Sequence, residues 1–229
     1  MFTSGMSGQA RIVFSLLTFL VAIPSAIKVF NWIATMYKGA IDMQPPMLWA
    51  MGFIFLFTIG GLTGLVLGAL ATDVHLHDTY FVVAHFHFVM FGGTGYAFIA
   101  ALHYWFPKIY GKMYNIKRAK TAFWITITGF MLLYFPMFIA GFKGMPRRYY
   151  NQLPHFQVEN FISTVGSWVL ITGIILMITN IVIGVRKGHK IGKNPWNGLT
   201  LEWQTDSPPT IENFDEIPTV TEAPYEYKS

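Results

Sequence analysis

The sequence contains no cysteine. That absence excludes disulfides, thiolate metal sites and thiol nucleophiles, so a bound metal must be held by imidazole, carboxylate or carbonyl groups. Charge is scarce as well: 12% of the 229 residues are Asp, Glu, Lys or Arg, against about 25% in an ordinary soluble domain. Acids are scarcest outside the tail, where seven of the eleven lie (Glu202, Asp206, Glu212, Asp215, Glu216, Glu222, Glu226), so the net charge of +5 understates how basic the preceding chain is. There is no nucleic-acid motif, and no nucleic-acid partner is expected, because the basic residues fall in loops between apolar runs. The start of the chain lacks a charged n-region with a short apolar core and a cleavage site, so no removable signal is expected.

What the sequence has in quantity is apolar surface, 53% hydrophobic and 17% aromatic. Runs at about 12–36, 47–70, 80–106, 121–140 and 160–185 can each cross a hydrocarbon core of roughly 30 Å at about 1.5 Å per residue. The predicted fold is all-α, a polytopic transmembrane helix bundle of five spans in residues 1–195. Residues 196–229 read as an extended polar, acidic tail lying on partner surfaces, since they have little apolar area to bury. Pro24 predicts a kink in the first span, and Phe106-Pro107 the end of the third. Gly60 and Gly64 form a Gly-x-x-x-Gly pair, a packing signal. Lys28 sits inside an apolar run, where it costs at least about 2.5 kcal/mol unless it reaches water or a partner.

The chain is organised around residues 77–87, His-Asp-Thr-Tyr-Phe-Val-Val-Ala-His-Phe-His, which run into the third span. Residues two apart on a helix are separated by about 200°, so His85 and His87 point to nearly opposite sides and cannot share one metal. Each can instead ligate its own planar cofactor, one on either side of the helix, with haem the obvious candidate. A lone intramembrane histidine more often bridges helices by hydrogen bonds. A pair, with His77 and Asp78 directly before it, is a stronger signal.

This run resembles the tenth transmembrane helix of subunit I of the haem-copper terminal oxidases, of the cytochrome c oxidase type. The resemblance extends over the whole chain as the family's helices eight to twelve. It implies that His85 is the axial ligand of the oxygen-reducing high-spin haem and His87 an axial ligand of the low-spin haem. It implies that His77 and Asp78 belong to a Mg2+ or Mn2+ site completed by waters and a carboxylate of subunit II, and that Asp73 lies near the haem propionates. Ala-Ile-Pro-Ser-Ala-Ile-Lys-Val-Phe-Asn-Trp at 22–32 resembles the eighth helix, where the residue matching Lys28 belongs to a proton path. Ser25, one turn before it, could relay protons, though the family often has threonine there. Gly-Met-Pro-Arg-Arg-Tyr at 144–149 resembles the propionate-binding loop, giving Arg147 and Arg148 that task, and Glu202 to Pro209 matches the family's Glu-Trp-x-x-x-Ser-Pro-Pro pattern. His75 has no counterpart role and reads as a surface histidine.

The implied activity is reduction of O2 to water with proton translocation, electrons arriving from cytochrome c. A quinol donor is the alternative within the family. The implied cofactors are two haems, with the a type the first expectation although the sequence does not itself distinguish a, o and b, and copper held by residues outside this chain. In the family the copper-binding His-His pair directly precedes the Met-Phe-Thr seen here at residues 1–3. Met1 is thus expected to be an internal methionine of a truncated product or the start of a split subunit. The implied partners are the N-terminal part of subunit I, subunits II and III, cytochrome c, O2 and the lipid bilayer. Loop charge puts Lys38, the five basic residues of 108–120 and the cluster from Arg186 to Lys193 on the heavier side. By the positive-inside tendency the N-terminus then lies outside and the tail on the cytoplasmic or matrix side of a bacterial plasma or mitochondrial inner membrane. Two other classes stay open: a divalent-metal transporter lined by His75, His77, His85 and His87, which needs them to converge, and a non-catalytic membrane scaffold.

Overall fold

The structure is a computed structural model that describes residues 2–214, 216, 218 and 219. Met1 and the tail acids Asp215, Glu222 and Glu226 lie outside the described residues. Five helical stretches are long and apolar enough to cross a membrane: Gly8–Met36, Pro45–Gly68, Tyr80–Tyr110, Ile116–Phe142 and Pro154–Lys187. The first comprises α1 (Gly8–Leu20) and α2 (Ala22–Met36), broken at Val21. Pro24 sits in the first turn of α2, where its missing N–H is not needed, so the predicted kink takes the form of a helix restart. The second span is α3 (Pro45–Gly68), followed by the short α4 (Leu70–Leu76).

The third span departs twice from a plain helix ended by proline. It runs as α5 (Tyr80–Val89), a π-helical turn (Met90–Gly95) and α6 (Tyr96–Tyr110). The π turn falls on Met-Phe-Gly-Gly-Thr-Gly, where the missing side chains let Leu56 and Phe57 of α3 pack against widened backbone. Pro107 does not end the helix. It removes the N–H that would bond the carbonyl of His103, and the Tyr114 hydroxyl donates to that carbonyl instead at 3.2 Å. The helix stops at Gly111, whose φ of +60° a side chain would resist.

The fourth span is α7 (Ile116–Phe142), capped by Asn115, whose side chain accepts from the Arg118 N–H; the fifth is α8 (Gln157–Lys187). Both begin or end further out than their apolar runs, because polar first and last turns continue the helix into the interface. A two-residue ribbon, β1 (Lys112–Met113) with β2 (His189–Lys190), ties the loop before α7 to the segment after α8. The spans alternate in direction, so one end of the bundle carries residues 69–79 and 143–153 and the other carries the basic loops.

An aromatic core lies between α3, α5, α6 and α7, with Trp49, Phe81, Phe88, Tyr96, Phe123, Phe130 and Phe138 buried. Lipid is as apolar as these rings, so burial from water does not hold the spans together; close packing does. Phe88 meets Phe130 and Phe81 meets Phe138 with centroids 4.9 Å apart in edge-on geometry. The first span has no buried residue.

The first part of the tail, residues 196–207, packs on this chain itself. Trp203 is buried, its indole N–H donates to the Tyr104 hydroxyl at 2.8 Å, and Trp196 stacks on Tyr104 while donating to its carbonyl. Lys108 anchors the same stretch, donating to the carbonyls of Lys193, Thr205 and Asp206. Two tryptophans and one buried ammonium thus dock residues 194–207 on the end of α6 although the segment is polar overall.

Candidate functional site

His85 and His87 occupy the second turn of α5, five and seven residues beyond Tyr80, or roughly 8–10 Å along the axis at about 1.5 Å per residue. The structure turns them to different neighbours. His85 faces α3, with Nδ1 3.0 Å from the carbonyl of Gly60 and 3.2 Å from the Thr63 hydroxyl. A side chain on Gly64 would begin 3.0 Å from His85 Cε1, so the Gly-x-x-x-Gly pair is more than a packing motif: it makes room for this ring. His87 faces α7, stacked on Tyr134 at 4.3 Å with 19° between planes, and its Nδ1 lies 2.8 Å from the carbonyl of Val83.

A carbonyl only accepts, so Nδ1 carries the proton in both rings and Nε2 presents its lone pair. No described residue is bonded to either Nε2. An imidazole fixed through Nδ1–H to a carbonyl, with Nε2 left over, is the form in which histidine ligates a metal. The two rings therefore each present one nitrogen lone pair, on opposite sides of α5, and do not converge on one ion.

The end of the bundle above these rings is clamped backbone to backbone. Tyr80 N–H donates to the Met145 carbonyl at 3.0 Å, Arg147 N–H donates to the Asp78 carbonyl at 2.9 Å, and Thr79 bridges Pro146. Gly141 makes this approach possible, since a Cβ there would lie on the Phe81 backbone nitrogen. Asp78 takes a left-handed φ of +56° and Arg148 one of +71°.

Their side chains form one cluster. Arg147 donates through Nε (2.7 Å) and Nη2 (2.5 Å) to Asp78 Oδ1, with Arg148 Nη1 at 3.8 Å, and His77 Nε2 is 3.3 Å from Asp78 Oδ2. The hydrogen bonds from Arg147 hold the Asp78 carboxyl below the usual carboxylate range. The Arg147 fork is thus engaged by a protein carboxylate, whereas Arg148 is 73% exposed and open to another anion. Asp73 is buried in α4, and burial pushes its carboxyl above the usual range, with His77 pulling against this.

Adjacent ligands of an octahedral cation with bonds of about 2.1 Å lie roughly 3 Å apart, so the His77–Asp78 separation suits a shared ion. Two ligands do not make a site, however, and no group of three or more His, Asp or Glu able to hold a metal occurs among the described residues. His75 is exposed. Lys28 is exposed on α2, and Ser25 bonds back to the Val21 carbonyl at 3.3 Å. Thr63 and Tyr134, which orient the two imidazoles, carry no sequence signal beyond being polar groups in apolar spans.

A family model described as Cytochrome C and Quinol oxidase polypeptide I matches residues 1–169. Cytochrome c oxidase subunit 1 of Thermostichus vulcanus is 44% identical over 227 residues, covering 99% of this chain and 41% of the relative. Quinol oxidase subunit 1 of Bacillus subtilis is 42% identical over 224 residues, covering 96% of this chain and 34% of the relative. Among solved structures, a chain of a heme-copper terminal oxidase dimer superposes with a TM-score of 0.73 at 22% identity, over 83% of this chain and 39% of that one. The chain spans about two-fifths or less of the length of these relatives.

Proposed function

Since this chain belongs to the cytochrome c and quinol oxidase polypeptide I family of haem-copper oxidases and is an integral membrane protein, we propose that it is the C-terminal part of the catalytic subunit of a respiratory oxidase. The observation that carries this reading is the pair of imidazoles on opposite sides of α5, each tied through Nδ1 to a carbonyl and each with an unengaged Nε2. A metal transporter needs its histidines to converge, and these diverge.

Haem iron, with copper bound by residues outside this chain, supplies the one-electron chemistry by which the complete enzyme reduces O2 to water. His87 would hold the low-spin haem through Nε2, the plane of its imidazole set by Tyr134 and its tautomer by Val83. His85 would hold the high-spin haem, its tautomer set by Gly60. Arg148 would offer its guanidinium to a propionate, and Arg147, held by Asp78, would add positive charge beside it. Asp73, whose carboxyl burial pushes above the usual range, would lie near the propionates, where that rise lessens its repulsion of them. His77 and Asp78 would be two ligands of a Mg2+ or Mn2+ ion that water and a partner carboxylate complete. Lys28 Nζ passes protons toward the centre with Ser25 Oγ as relay. Its exposure on an apolar span fits coverage by the N-terminal part of the subunit, with subunits II and III and cytochrome c as further partners.

The test is the reduced-minus-oxidised visible spectrum of the complete complex from its native membrane. Two haem components are expected, with His87→Ala removing the low-spin one and His85→Ala the one that binds carbon monoxide. Lys28→Met should leave both and slow turnover. An intact complex without a haem band overturns the proposal. Oxidation of reduced cytochrome c, against oxidation of a quinol, decides the donor.

A further inference from the structure

At the end of the bundle away from the histidines, a cleft of about 540 Å3 opens between the first turn of α7 and the last turn of α8. Met113, Tyr114, Ile116, Ile183 and Gly184 line it. Lys117, Arg118, Lys187 and His189 surround it, with no carboxylate in its lining. None of these four is in an ion pair among the described residues, and all are exposed. The ribbon between β1 and β2 fixes the geometry, because pairing Met113 with His189 holds the α8 extension against the start of α7.

The position is as informative as the charge. The fourth span starts at Ile116 and the fifth ends at Lys187, so the cleft sits where hydrocarbon gives way to water. Ile183, which lines the cleft on α8, and Trp124, seven residues beyond Lys117 and so on the same face of α7, are exposed and extend the apolar surface toward the membrane interior. We propose that this cleft binds the headgroup of an anionic phospholipid, its phosphate held by Lys117, Arg118 and Lys187 and its chains lying between α7 and α8 past Ile183 and Trp124. A soluble anion would use the cations but leave the apolar strip beside them without a purpose. Basic pockets between helices at a membrane surface suit such headgroups, and a guanidinium can grip phosphate through two bonds.

The test uses the complete oxidase complex in phosphatidylcholine bilayers carrying a trace of photo-crosslinkable phosphatidylglycerol, or of phosphatidylcholine with the same reactive chain, with crosslinks mapped by mass spectrometry. The glycerol lipid should label peptides 113–118 and 183–189 in preference to the choline lipid. Lys117→Gln, Arg118→Gln and Lys187→Gln should each reduce that labelling about fivefold, whereas Lys38→Gln, in another loop at the same end, should not. All four positions are exposed, and an unchanged haem spectrum confirms assembly. Equal labelling by both lipids, an equal effect of Lys38→Gln, or loss of labelling with excess inorganic phosphate overturns the proposal.

Discussion

Gly64→Ala tests the link between helix packing and the His85 position. The new Cβ would lie 3.0 Å from His85 Cε1, about 0.4 Å inside an ordinary contact, so the ring must turn or α3 must withdraw. Turning the ring weakens the 3.0 Å bond from Nδ1 to the Gly60 carbonyl, which fixes the tautomer and aims Nε2. Overpacking of this kind costs about 1–3 kcal/mol, equivalent to a five- to 150-fold loss at any equilibrium that requires the native ring position. Gly61→Ala is an internal control, because nothing lies within 4 Å of its added Cβ. Both substitutions gain about 1 kcal/mol of helix propensity, so that contribution cancels between them. The assay is the haem content and carbon monoxide difference spectrum of each complete complex. Gly64→Ala should lose or broaden the high-spin component while keeping the low-spin one, and Gly61→Ala should match the parent. Indistinguishable spectra for the two variants would refute the claim that Gly64 shapes the His85 position.

Tyr114→Phe should lower the thermal stability of the complex by about 1–3 kcal/mol by stranding the His103 carbonyl, and adding Pro107→Ala should recover much of the loss by restoring an N–H to that carbonyl; no recovery would mean the hydroxyl acts elsewhere. Asp78 has a depressed folded pKa, so its stabilising contribution is complete above the unfolded value near 3.9 and is lost as pH falls through the lower folded value. Protection from hydrogen exchange at Tyr80 and Arg147 should therefore carry no pH dependence from this group between neutral pH and about 4, then fall in acid, and Asp78→Asn should abolish the acid limb. Trp203→Ala, which removes a buried ring and the hydrogen bond to Tyr104, should cost about 3–5 kcal/mol of tail docking and expose residues 188–207 to limited proteolysis; unchanged cleavage would mean that Lys108 holds the segment alone.

How legible this chain is depends on whether a feature is local. The spacing of His85 and His87 reads directly from sequence because helical periodicity alone sends neighbours two apart to opposite sides. The five spans read equally well, since length and hydropathy suffice. Features that depend on a distant partner do not. Arg147 and Asp78 each suggest ligands of their own, but the sequence is silent on their choosing one another across 69 residues. Pro107 signals a broken helix because the residue that relieves it, Tyr114, donates from beyond the helix end. The tail reads as polar because Trp196, Trp203 and the carbonyls that hold Lys108 are scattered along it, and only folding gathers them at Tyr104 and Lys108.

The Arg147–Asp78 pair also joins two tasks that the motifs keep apart. If Asp78 gives Oδ2 to a cation shared with His77, its Oδ1 still holds Arg147, so the charge of the ion is felt at the guanidinium proposed to lie beside the propionates. A carboxylate between a dication and an arginine balances both, whereas the same carboxylate protonated leaves two positive groups facing each other. Any aspartate is ionised at neutral pH, and the depressed pKa of Asp78 extends that state into acid, so the arrangement is avoided there too. The cluster of His77, Asp78 and Arg147 thus acts as one electrostatic unit, and Asp78→Asn should disturb cation binding and the propionate side of the site together.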